Sequence, residues 1–344
     1  MEAHDPGESI AVAEREDVSL QSHDIFVIGA SAGAVPSLKV LFGALPEDFP
    51  GSIFAVVHIS ADAVSGLAGV FERAGPLPVV APEDLTPIAP NRIYIAPPDF
   101  HMLLEGERVR IVRGPKENRH RPAIDPLFRS AAWAYGPRVV GAVLTGYLDD
   151  GAAGLWAIKS CGGTTVVQDP TDALQPEMPQ NALLSNQIDH VVPLHQMAAL
   201  FVRLARSPID GARGHAQPES VKTEVGFATL DRDINDMASL GRLSPFTCPA
   251  CRGALWELQD GGQLRYRCHT GHAFTGDSLL AEQTASIEEG LYSALRAVEE
   301  KAAALQRLSQ QWFSKYPNMQ SEYRARVHEL DRAADVLRKL LTNS

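Results

Sequence analysis

The chain has 344 residues, 45% of them hydrophobic, and a formal net charge of −11. That size suits two or more folded units, and the negative charge argues against nucleic acid or an anionic membrane surface as the main partner. No run is long and apolar enough to insert into a membrane, no signal-peptide pattern opens the chain, and three of its four cysteines cluster, which favours metal over disulfides and a cytoplasmic location.

In chain order, Met1–Ser22 is polar and aperiodic and reads as a disordered lead. Ile25–Ile28 is a buried strand, followed by the small-residue turn Gly29–Ala34 and a helix start near Pro36. Ser52–His58 is a second buried strand and Ala63–Ala74 a helix. Asn91–Pro97, His101–Glu105 and Arg108–Arg113 are short strands, the last two forming a hairpin about Glu105-Gly106-Glu107. Asp125–Tyr135 is helical, Arg138–Leu144 a strand, Thr145–Gly151 a loop, Ala152–Cys161 a helix and Thr164–Gln168 a strand. Ile188–Pro193 and the helix His195–Arg206 close the unit. The alternation predicts an α/β fold over residues 23–206: a doubly wound, mainly parallel sheet with the antiparallel hairpin added to it. Residues 207–242 read as a linker, 243–275 as a zinc-ribbon-like module, and 276–344 as a helical hairpin broken at Pro317.

Ser31 falls just past the first strand, over a helix start, where ligands bind in such sheets. The turn alone fits a nucleophile, a phosphate cradle or a plain βα connection. His58 ends the second strand, with His101 and His120 as rival bases. Asp150 follows a third core strand, where it also suits a helix N-cap. Together, a serine, a histidine and an aspartate at the carboxyl ends of core strands suit a nucleophile–base–orienter set.

Several blocks follow one another in order: Ile28-Gly-Ala-Ser-Ala-Gly33, Val57-His58, Ile95-Ala-Pro-Pro98, Arg121–Ala131, Leu144-Thr-Gly146 with Asp150–Gly154, Gln168-Asp-Pro170 and Met178-Pro179. On these blocks the chain resembles the catalytic domain of the CheB-type protein-glutamate methylesterases. The resemblance implies Ser31 as nucleophile, His58 as general base, Asp150 as the residue orienting it, and the N–H near Tyr147 as an oxyanion donor beside the turn at Ser31. It implies no catalytic cofactor, a methylated receptor-like helical protein as substrate, and chemotaxis-type signalling, with glutamine deamidation by the same acyl chemistry. Ala32, Ala34 and Tyr147-Leu148 depart from the usual hydroxyl residue, glycine and Met-Gly pair. The family's usual N-terminal receiver domain does not fit before the first strand, so regulation by another route is expected.

Cys248-Pro-Ala-Cys251 and Cys268-His-Thr-Gly-His272 approximate the spacing of a four-ligand zinc site. Cys248, Cys251, Cys268 and His272 are the expected ligands of a structural zinc, with His269 as rival to His272. Reduced thiols without metal are the alternative. The C-terminal helices offer a surface for a signalling partner. A non-catalytic adaptor on the same fold, and a nucleotide-binding enzyme, are the competing functional classes.

Overall fold

Alternate residues of the first strand part to the two faces of a sheet. Phe26 and Ile28 join one buried cluster while Ile25 and Val27 join another, the period-two pattern of a strand covered on both sides. The computed structural model describes residues 22–60, 66–209, 217–231, 236–258, 263–312 and 317–343. Apart from Ser22, which bridges to Pro208, the expected disordered lead lies outside the described residues, as does the start of the helix expected at Ala63.

The central strands are β1 (Ile25–Ala30), β2 (Ser52–Val57), β3 (Val79–Val80), β5 (Arg92–Ile95), β8 (Val139–Val143), β9 (Thr164–Gln168) and β10 (His190–Val192). They form one sheet in the order β10-β9-β8-β1-β2-β5-β3, with every pairing parallel. Residues of α1 (Ala34–Gly43), α2 (Leu67–Glu72) and α6 (Leu194–Arg206) pack on one face; those of α3 (Ile124–Tyr135), α4 (Ala152–Ser160) and α5 (Glu177–Ser185) pack on the other.

Two expectations are corrected. The hairpin of β6 (His101–Glu105) and β7 (Arg108–Val112) does not extend the parallel sheet. It pairs with β4 (Thr86–Pro87) in a separate three-stranded sheet, because its apolar Met102, Leu104 and Val109 are buried in the cluster that includes α3. Nor is 207–242 a plain linker. It contains α7 (Glu219–Thr229), opened by Pro218 and Glu219, the short α8 (Met237–Leu240), and the first residues of β11 (Gly241–Thr247). Val221, Phe227 and Met237 are buried there.

The cysteine-rich region is a four-stranded antiparallel sheet of β11, β12 (Ala254–Leu258), β13 (Arg265–Cys268) and β14 (Ala273–Thr275). It docks on the α/β unit through buried charge. Glu224 of α7 bonds Arg265 at 2.5 and 2.7 Å and Arg267 at 3.1 Å. Arg267 also reaches Glu117 at 3.0 Å, and Glu117 pairs with Arg129 of α3. Five buried charges thus interlock three segments distant in sequence. From this sheet runs α9 (Gly276–Trp312), against which α10 (Pro317–Asn343) packs. At 37 residues α9 extends about 55 Å.

Candidate active site

Parallel pairing puts the carboxyl ends of β8, β1 and β2 side by side, and Ser31, His58 and Asp150 lie just beyond them. The Ser31 N–H donates to the Thr145 carbonyl at 2.9 Å, which ties the turn after β1 to the loop after β8. Gly33 takes φ +84°, a left-handed conformation that glycine adopts without cost, and so turns the chain into α1. Gly146 is packed against Ser31: a Cβ there would lie 2.8 Å from the Ser31 Cβ and 2.0 Å from the Met178 sulfur. Ser31 and His58 line one cleft of about 410 Å³ together with Lys116, Arg119, His120 and Arg121.

His58 Nε2 lies 2.8 Å from Asp150 Oδ2, with the two side chains 4% and 2% exposed. His58 Nδ1 is buried without a hydrogen-bond partner among the described residues. Asp150 also accepts the Ile124 N–H at 2.7 Å, the Asp125 N–H at 3.3 Å and the Asn118 amide at 3.0 Å. Burial alone would raise its pKa, but the His58 bond and these donors hold the carboxyl well below its ordinary range. It is therefore a charged acceptor, and the tautomer that satisfies it carries the proton on Nε2 and leaves Nδ1 as a base.

The cap expected of Asp150 is redirected. α4 begins after Gly151 with no side-chain cap from Asp150. Asp150 instead receives the first N–H groups of α3, while Asp125 of α3 accepts from Gly151 at 3.0 Å and Gly154 at 2.7 Å. The two helices cap each other, and the Asn118 amide bridges both carboxylates, reaching Asp125 at 2.9 Å. Burial first, and the Asp150 charge next, push the Asp125 carboxyl up to about 7. Asn118 and Asp125 were not picked out from the sequence, since their roles depend on residues more than twenty positions away. The block beginning at Arg121 was the available pointer.

The rival bases have other positions. His101 is buried, its Nε2 2.8 Å from the Pro115 carbonyl and its Nδ1 accepting the Ala123 N–H at 3.2 Å. His120 stacks on the His58 ring at 3.6 Å between centroids. Burial and the neighbouring His58 lower its pKa to about 3, so it stays neutral. Of the expected oxyanion donors, the Ser31 N–H is already committed to Thr145. The N–H groups of Tyr147 and of Ala32, the residue after Ser31, have no partner among the described residues.

Among the described residues, Cys248, Cys251, Cys268 and His272 bring one ligand atom each within 4.8 Å of one another. His269 is outside this set. Arg252 (φ +62°) and Gly271 (φ +100°) make tight turns behind the two half-sites. The Arg252 N–H returns to the Cys248 carbonyl at 2.7 Å and the Gly271 N–H to the Cys268 carbonyl at 2.9 Å. Cys251 and Cys268 sulfurs are 3.6 Å apart, and Cys268 Sγ is 3.5 Å from His272 Nδ1. The edge of a tetrahedron with metal–sulfur bonds of about 2.3 Å is about 3.8 Å, so the donor set and its spacing fit zinc.

The family model for CheB methylesterase matches residues 26–201. A putative protein-glutamate methylesterase/protein-glutamine glutaminase of Leptospira interrogans is 34% identical over 190 residues, covering 55% of this chain and 98% of that protein. Protein-glutamate methylesterase/protein-glutamine glutaminase 1 of Rhodospirillum rubrum is 38% identical over 188 residues, covering 53% of this chain and 49% of that one. The crystal structure of the Thermotoga maritima CheB methylesterase catalytic domain superposes with a TM-score of 0.51 at 30% identity, covering 53% of this chain and 99% of that one.

Proposed function

The chain belongs to the CheB methylesterase family, and from that premise we propose that it is a serine hydrolase that removes methyl esters from glutamate side chains of a chemoreceptor-like helical protein in chemotaxis-type signalling. Ser31 Oγ attacks the ester carbonyl as His58 Nδ1 takes its proton. Asp150, ionised and bonded to Nε2, stabilises the imidazolium that forms. His58 returns the proton to the departing methanol, then activates the water that hydrolyses the acyl-enzyme. The N–H groups of Ala32 and Tyr147 stabilise the tetrahedral oxyanion. A glutamine amide offers the same acyl carbon with ammonia as leaving group, so deamidation uses the same groups.

The observation that carries the reading is the buried His58–Asp150 pair, with Ser31 and His58 lining one cleft. Lys116 lines that cleft beside Arg119 and Arg121, which pair with Glu282 and Asp99, and its charge suits a receptor segment that carries unmodified glutamates. The relatives' names favour catalysis over the adaptor alternative. The protein acts in the cytoplasm on this reading, where the thiols of Cys248, Cys251 and Cys268 stay reduced. No helix among the described residues is long and apolar enough to cross a membrane. The exposed Leu280, Ile287 and Tyr292 of α9 form the surface for a signalling partner.

Methanol release from methylated receptor preparations tests the reading. Ser31→Ala and His58→Ala should each lower kcat by about ten-thousandfold or more with the fold intact by circular dichroism. Release by Ser31→Ala at the wild-type rate would overturn it.

A further inference from the structure

The cysteine-rich sheet lies outside the stretch matched by the family, residues 26–201, yet it reaches the residue that orients the catalytic histidine. The segment 116–118 pairs with β14: the Asn118 N–H donates to the Ala273 carbonyl at 2.9 Å, and Glu117 bridges to Ala273. Ala273 directly follows His272, one of the four clustered ligands. Two residues further, the Thr275 N–H donates to the Asn118 side-chain oxygen at 3.1 Å, and the Ser278 hydroxyl lies 3.3 Å from the same oxygen. With its oxygen held from this side, Asn118 must turn its amide nitrogen to the other, where it donates to Asp150 and Asp125. The order of contacts is His272, Ala273–Thr275, Asn118, Asp150, His58. Asn118 itself stands at φ +47° and is buried, a left-handed conformation that asparagine adopts more readily than other residues with a side chain. Thr275 also donates its hydroxyl to Asp149 at 2.8 Å, and Gln263 donates to the same carboxylate at 2.7 Å, so the sheet grips the loop after β8 as well.

We propose that Cys248, Cys251, Cys268 and His272 bind one zinc ion, and that the sheet stapled by this metal braces the active site by holding Asn118 on Asp150. The four donors leave no open coordination position, so the metal is structural. β14 has only three residues and is paired with the described part of its sheet through β13 alone. Without the metal, Cys268 and His272 no longer fix the turn that leads into it. Asn118 is a positioning residue here, acting through Asp150 and never touching substrate. Metal occupancy then sets the fraction of molecules with an ordered Asp150–His58 pair, and activity becomes dependent on zinc and on thiol oxidation although no catalytic step uses the metal.

The inference rests on the esterase reading only for its kinetic arm. Elemental analysis of the purified full chain should give one zinc per molecule. The proton NMR resonance of the His58 Nε2–H, hydrogen-bonded to Asp150, should shift or broaden when zinc is withdrawn by a chelator and recover on adding zinc. It should not recover in Cys251→Ala. Ser278→Ala, which keeps the ligands, should retain zinc and still shift that resonance. In the kinetic arm kcat should fall roughly ten- to a hundredfold with little change in KM, the scale seen when a second-sphere partner is lost. Sub-stoichiometric zinc in zinc-supplemented preparations, or a resonance unmoved by zinc removal and by Ser278→Ala, would overturn the proposal. An inactive wild-type chain that showed zinc and the resonance shift would instead count against the esterase reading alone.

Discussion

Gly146 shows how closely Ser31, the proposed nucleophile, is packed. An added Cβ would sit 2.0 Å from the Met178 sulfur and 2.8 Å from the Ser31 Cβ. The first contact can relax, because a methionine side chain is flexible. The second cannot, because Ser31 is pinned by its N–H bond to Thr145. Gly146→Ala should therefore displace Ser31 and lower kcat about a hundredfold, the usual result of misplacing a reacting group by about 1 Å. The double change Gly146→Ala with Met178→Ala should recover thermal stability without recovering kcat. Recovery of both would place the obstruction at Met178 and not at the serine. Leu148 is the other residue of this loop with a cost. It stands at φ +62° where the resembling family usually has glycine, and the Asn181 amide donates to its carbonyl at 2.9 Å to hold it there.

Among the secondary-structure elements, α7 carries more than its sequence suggested. Glu224 is 1% exposed and is the shared acceptor of Arg265 and Arg267, with Arg129 at 3.6 Å. The Arg265 partner lies 41 positions away in sequence, so no local pattern could reveal it. Eleven residues with few apolar positions, flanked by Gly and Pro, read as a linker for that reason. The parallel strands were legible because their apolar runs state their own burial, and Ser31, His58 and Asp150 were legible as candidates because they follow the carboxyl ends of such strands. The hairpin was legible, but not its sheet, since its partner is the two-residue β4. Asn118 and Asp125 act across loops and were invisible for the same reason as Glu224. Removing Glu224 takes a shared buried acceptor from Arg265, Arg267 and Arg129, of which Arg267 and Arg129 keep Glu117, and breaking a buried pair in this way costs about 3–5 kcal/mol. Glu224→Ala should lower the urea midpoint accordingly. An unchanged midpoint would mean that the remaining contacts of the cysteine-rich sheet, the Arg267–Glu117 pair and the Thr275–Asp149 bond among them, hold it without Glu224.

For the molecule as a whole, the buried carboxyls split into two groups with opposite effects on stability. Burial first, offset by bonds to Arg129, Arg265, Arg267 or His58, leaves Glu117, Glu224 and Asp150 below their ordinary pKa values. Their contribution is present above the unfolded pKa and is lost as pH falls through the folded one. Asp149 and Asp125 run the other way, both raised to about 7, chiefly by burial. The folded chain binds more protons at these two sites than the unfolded chain between pH 3.8 and about 7. Their contribution is therefore present at low pH and lost as pH rises through 7. For Asp149, carried from 3.8 to about 7, the loss amounts to at most about 4 kcal/mol. Buried His120, His101 and His23, whose pKa values are lowered from 6.5, gain stability as pH rises to that value, so the wild-type curve sums opposing contributions. Asp149→Asn cannot ionise yet keeps an acceptor for Thr275, so in urea titrations between pH 5 and 8 the stability of the wild type relative to Asp149→Asn should fall as pH rises to about 7. Parallel curves for the two proteins would show that Asp149 is already ionised at pH 5, as its bonds from Thr275 and Gln263 would permit if water reached the loop after β8.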